Sequence, residues 1–124
     1  MWNLLFWLYM INATLLINHE IDSAYWKEWE LFRLPGGPGG FIIIHLPLVF
    51  LILLGGVWVS RQETAGIIMS LLLCASGLIA FCLHGYFLKK GRPEFKTPVS
   101  IALLVIFFLT SLVQGWAAIT VLAG

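Results

Sequence analysis

Of the chain's 124 residues, 60% are hydrophobic and only 10% are charged, where a soluble domain carries about 25% charged residues. The mean hydropathy is +0.97. A globule of this size cannot hide that much apolar surface from water, so soluble, disordered and fibrous classes are excluded and the chain reads as an integral membrane protein. A net charge of +1 with no basic face of domain scale argues against nucleic acid as a partner.

A membrane-crossing helix needs about 20 mostly apolar residues. The first such segment is 2–18, and its helix is expected to run on into His19 and beyond. Met1-Trp2-Asn3 offers no basic n-region and no A-x-A-like site follows, so this segment reads as a span and not as a cleaved signal. A polar and aromatic stretch, 20–32, comes next; its alternation of Glu28 and Glu30 with Trp26 and Trp29 suits a helix lying in the interface. The Pro-Gly run Leu34-Pro35-Gly36-Gly37-Pro38-Gly39-Gly40 is expected to break any helix. No Gly-Lys-Ser/Thr follows it, so it is a hairpin and not a phosphate cradle.

The second span is 41–59, with Gly55 and Gly56 available for close packing and Pro47 removing a backbone donor. A tight connection, 60–64, leads to the third span, 65–88, where Gly66, Ser70, Cys74 and Gly77 recur at helical spacing and let a neighbouring backbone approach. Cys74 and Cys82 share this helix at a separation of about 12 Å, too far for a disulfide. The basic connection 89–97 precedes the fourth span, 98–123. Four apolar spans mean an all-α, single-domain, four-transmembrane-helix bundle over 1–124. Asn12-Ala13-Thr14 matches a glycosylation acceptor but lies inside a span.

Orientation follows from the positive charges. Lys27, Arg33, Lys89, Lys90, Arg92 and Lys96 fall on the face of the first and third connections, and only Arg61 on the other. The positive-inside rule then puts those connections in the cytoplasm and both termini outside. Trp2, Trp58 and Trp116 fit the outer boundary, and Trp26 and Trp29 the inner one. A bacterial cytoplasmic membrane is the expected location.

Ionisable groups within a span are costly and point to function. His19, His45 and His84 lie near the same membrane face, one on each of the first three spans, and Glu20, Asp22, Glu28 and Glu30 lie on that face too. His45 and His84 are expected about 7 to 8 Å below the boundary. His19 and Asp22 are spaced i, i+3 and share a helix face, with Asn12 seven residues earlier on the same stripe. A His-x-x-Asp pair plus one histidine from each of two neighbouring helices has the character of a bundle metal site, and three imidazoles with an open position suit zinc. The expected metal set is His19, Asp22, His45 and His84, with Asp22 a ligand or an orienter of a ligand histidine. Glu20, Glu28 or Glu30 would be the base acting on a metal-bound water.

The stretch from Ile11 to Leu16, then His19-Glu20-Ile21-Asp22-Ser23-Ala24-Tyr25-Trp26-Lys27-Glu28-Trp29-Glu30-Leu31-Phe32 and His45-Leu46-Pro47, resembles a family of small bacterial four-span membrane proteins. The likeness is clearest over the first 50 residues; the later spans match in hydrophobicity and length. The chain is also similar to membrane proteins with a His-x-x-Glu-Glu motif, where it carries His19-Glu20-Ile21-Asp22. Neither resemblance carries an established activity, and both place any shared role in the first half of the chain.

Three functional classes fit. The first is a small metalloenzyme, zinc or iron dependent, acting on a lipid or lipid-like substrate at the inner leaflet. The second is an accessory subunit of a larger membrane complex or a homo-oligomer, whose histidines hold haem or chlorophyll or merely hydrogen-bond. The third is a proton-coupled carrier, disfavoured because the fourth span has no ionisable residue and Thr110, Ser111 and Gln114 make a poor through-route.

Overall fold

The computed structural model describes all 124 residues. They form α1 (Trp2–Tyr25), α2 (Glu28–Leu31), α3 (Gly37–Ser60), α4 (Thr64–Lys89) and α5 (Pro98–Ala123). The four long helices have 24 to 26 residues, about 36 to 39 Å at 1.5 Å per residue, and each is apolar enough to cross a membrane. Their backbone groups are hydrogen-bonded within each helix, the condition lipid imposes on a spanning segment. The molecule is an all-α four-helix bundle, with the short α2 laid over one end.

The helices form a ring in the order α1, α3, α4, α5. α1 touches both its ring neighbours and also meets α4 across the centre, whereas α3 and α5 do not touch. The first and third connections share the end that carries α2; the 60–64 hairpin and both termini lie at the opposite end. The inward stripe of α1 is Leu5, Tyr9, Asn12, Ala13, Leu16, His19 and Ser23, a spacing of three and four residues that keeps one face toward the core. Leu104, Phe107, Ala117 and Ala118 of α5 complete that core.

The far end of α1 follows the sequence expectation, and the start of α3 departs from it. α1 continues past Asn18 to Tyr25, because nothing in His19–Tyr25 breaks a helix and His19 and Ser23 stay on the buried stripe. α3 begins at Gly37, inside the Pro-Gly run expected to break any helix. Pro38 falls in the first turn, where a missing N–H costs nothing and its fixed φ suits the helix. The chain reverses through Arg33, Gly36 and Gly37, all with positive φ, and a Cβ added at Gly36, whose φ is 94°, would sit 2.9 Å from Gly40 Cα. With the helix starting earlier, His45 lies about 12 Å from its beginning. α3 also runs unbroken through Pro47.

The small residues of α4 lie where helices come closest. Gly66 faces the backbone of Val59 in α3, and Gly77 faces Ser111 in α5. Gly55 of α3 makes room for the Tyr9 hydroxyl, which donates to the Ile52 carbonyl at 2.7 Å. Cys74 and Cys82 are free thiols.

Between α1 and α5 lies a dry polar knot. Asn12 Nδ2 donates to Ser111 Oγ at 3.0 Å and to Gln114 Oε1 at 2.6 Å, and Thr110 donates to Asn12 Oδ1. Asn12, Ser111 and Gln114 are buried, so lipid offers no substitute partner. Such bonds contribute about 0.6 to 1.7 kcal/mol each in a membrane bundle. Asn12→Leu should therefore destabilise the bundle by about 1 to 3 kcal/mol in a detergent-unfolding titration, and an unchanged midpoint would show that the knot contributes nothing.

Candidate functional site

The inward stripe of α4 ends in Ala80 and His84, and that of α1 in His19 and Ser23. Where the two helices meet across the bundle, the His19 and His84 rings stand edge to face with centroids 4.8 Å apart. Both histidines are almost fully buried. Phe95, from the connection after α4, packs on His84 at 4.0 Å and on His19 at 5.9 Å. It has no exposed surface, and its φ of 63°, uncommon for a side chain of this size, turns it inward over the end of the bundle. Phe107 of α5 flanks His19 from the other side at 6.4 Å.

Glu28 arrives from α2. The chain reverses through Lys27, which has a φ of 51°, and the short helix is held down by two aromatic pairs. Trp29 lies 5.3 Å from Phe41, and Phe32 meets Phe87 edge on at 5.5 Å. With its neighbours pinned, Glu28 joins the histidines: His19, Glu28 and His84 each offer a ligand atom within 4.8 Å of the other two. His19 Nδ1, His84 Nδ1 and Glu28 Oε2 are buried and lack any hydrogen-bond partner. Burial pushes the Glu28 carboxyl above the ordinary carboxylate range; Glu20 pushes the same way, and Ser23 and His45 oppose it. Buried polar atoms are usually satisfied, so three side chains that converge from three elements, each with an unpartnered buried atom, mark a candidate place for a bridging ion.

The remaining residues singled out from the sequence lie elsewhere. His45 is outside this group: its Nδ1 donates to the Phe41 carbonyl at 2.7 Å, and its Nε2 lies 2.6 Å from Glu20 Oε2. A carbonyl only accepts, so Nδ1 carries a hydrogen, and the short bond to Glu20 requires a second proton held between the pair. The His45 ring also stacks on Phe41 at 3.9 Å. Asp22 shares the His19 side of α1, but its Oδ1 accepts from Trp26 Nε1 at 3.1 Å and its buried Oδ2 has no partner. Glu30 points to solvent beside Lys27 at 3.9 Å. Of the four expected ligands, the fold thus brings two, His19 and His84, together, and supplies Glu28 as the third donor.

A cleft of about 230 Å³ opens onto the three donors; Glu20 also lines it, with Leu48, Ser76 and Leu83 forming part of its walls. Sequence reasoning missed Phe95, because nothing in a loop sequence shows which residue turns inward. It also missed the pairing of Glu20 with His45, although the pair's residue types and membrane depth were visible.

The fold and this cluster define a four-span membrane-helix bundle with a possible His/Glu metal-binding group at one end. The chain belongs to DUF6713, a family of unknown function, whose model matches residues 5–121. No curated protein and no solved structure matches it.

Proposed function

We propose that the chain is a membrane metalloenzyme that binds one zinc or ferrous ion through His19, Glu28 and His84 at the cytoplasmic end of the bundle. The supporting observation is the convergence of two buried imidazoles and a carboxylate, each of which carries a buried polar atom without a hydrogen-bond partner. Two histidines and one carboxylate suit either ion, and three protein donors leave a coordination position open for water or substrate. Glu20 lines the same cleft as the three donors and is paired with His45, so a base with its own proton partner would stand near a bound ion. The excess of Lys and Arg around the first and third connections supports a cytoplasmic placement of this end.

The test is elemental analysis of protein carrying no histidine tag, purified in mild detergent and equilibrated with zinc or ferrous iron. About one metal per chain is expected, the stoichiometry a single three-donor centre allows. A preparation that takes up neither ion would overturn the reading and shift weight to an accessory subunit of a larger membrane complex.

A further inference from the structure

We infer that the cleft beside His19, Glu28 and His84 takes the hydrocarbon chain of an amphiphile, which enters sideways from the bilayer between α3 and α4. The inference rests on the metal reading for its chemistry but on separate observations for its route.

At the aqueous end the two histidines are covered. Phe95 is fully buried over the two histidines, and α2 is clamped over the same end by its two aromatic pairs. The lateral route is open. The cleft is walled by Leu48 of α3 and by Ser76, Ile79 and Leu83 of α4, and Leu48, Ile79 and Leu83 are exposed on the outside of the bundle. In a bilayer those side chains face lipid. Ser76 lies about 20 Å along α4 from Lys89 at 1.5 Å per residue, so the cleft descends from the interface toward the membrane centre. At depth it is lined by Leu16, Leu48 and Ser76, whose hydroxyl donates to the Leu72 carbonyl of its own helix, and it ends in unpartnered polar groups near the interface. That arrangement matches one long chain bearing an oxygen-containing head group, which would stop at His19, Glu28 and His84.

The larger groove between α1 and α3, about 520 Å³, fits the part less well. None of the three donors lines it, and its polar residues, Glu20 and His45, are already bonded to each other. It accommodates lipid without offering a free group to recognise.

The test uses the full chain in nanodiscs of phosphatidylethanolamine and phosphatidylglycerol, loaded with zinc. The probe is a fatty acid carrying a diazirine on its chain, with photolabelled positions mapped by peptide mass spectrometry and zinc measured in the same samples. Labelling should concentrate severalfold on Leu48, Ile79 and Leu83 over other exposed apolar residues such as Ile43 and Ile119. Ser76→Phe, or Leu48→Trp should that variant fold poorly, should remove this preference and leave zinc content unchanged. Even labelling of all exposed helix faces, labelling centred on Ile21 and Phe50 of the α1–α3 groove, or no effect of the plugging variants would overturn the chain site while bound zinc upheld the metal reading. Labelling in the cleft without zinc would uphold the chain site and overturn the metal reading. The covered aqueous end has its own check: 1,10-phenanthroline should strip zinc severalfold faster than EDTA, and equal rates would overturn lateral entry.

Discussion

Alanine in place of His19 or His84 should abolish zinc binding, lowering affinity by at least about 100-fold, because loss of even an outer-shell partner commonly costs 10- to 100-fold. Glu28→Ala should do the same, since its carboxylate completes the set that converges within 4.8 Å. His45→Ala, Asp22→Asn and Glu30→Ala should retain the metal. His45 is engaged by Phe41 and Glu20, Asp22 by Trp26, and Glu30 faces water beside Lys27. The pattern across these six variants separates a metal centre from a merely polar cluster, which would give no such division. Folding is read independently. Zinc at a hundred times its dissociation constant should stabilise the wild-type bundle by about 2.7 kcal/mol, a gain that vanishes in the first three variants and persists in the others. If His84→Ala and the shape-preserving His84→Gln both keep full zinc occupancy, the assignment fails.

The largest effect on stability should come from Gly66. An added Cβ there would lie 2.6 Å from Val59 N and 2.8 Å from both Trp58 C and Val59 Cα. These are backbone atoms in the last turn of α3 and cannot rotate aside, so α3 and α4 would have to separate just where the 60–64 hairpin holds them together. Overpacking a well-packed site costs about 1 to 3 kcal/mol and occasionally more; with rigid neighbours on one side, Gly66→Ala should reach about 3 kcal/mol and Gly66→Leu should yield no folded protein. The internal control is Gly85, also within α4, around which an added Cβ meets nothing within 4 Å. Gly85→Ala should be neutral or stabilise the helix by up to about 1 kcal/mol. Unfolding in mixed micelles, followed by tryptophan fluorescence, reports both. Equal midpoints for the two alanine variants would mean that the α3–α4 approach is looser than the structure has it.

The fold was legible because lipid leaves so few options. Four apolar runs separated by polar or glycine-rich segments admit only a helical bundle, and the small residues at Gly66, Ser70, Cys74 and Gly77 marked the buried face of α4 before any coordinates. The site was legible in part. Membrane depth could be read for His19 and His84, and a helix face for His19 through Asn12 and Asp22; that His84 continues the inward stripe of α4 came from the fold. Glu28 had the same prior as Glu20 and Glu30, and only the left-handed turn at Lys27 and the aromatic clamps on α2 select it; these depend on tertiary packing that no periodicity records. His45 failed to join for a similar reason. It lines the groove between α1 and α3 with Glu20, and depth alone does not give the angular position of a helix around a bundle. The Asn12 knot was half visible: the position on the stripe was clear, but its partners Thr110, Ser111 and Gln114 became meaningful only once α5 was known to lie against α1.

The ring order has a bearing on how the molecule is assembled. α1 packs against α5, the most distant helix along the chain, while α3 and α5 never meet. As the helices enter the bilayer one after another, Asn12 waits with its amide unanswered until α5 arrives with its three hydroxyl and amide partners. The two histidines can face each other as soon as α4 is in place, but Phe95 and Phe107, which wall them in, arrive only with the final connection and helix. Insertion of α5 is therefore the step that locks the ring shut. It closes the ring by joining α1 to α4 from the other side, although α5 itself donates no ligand.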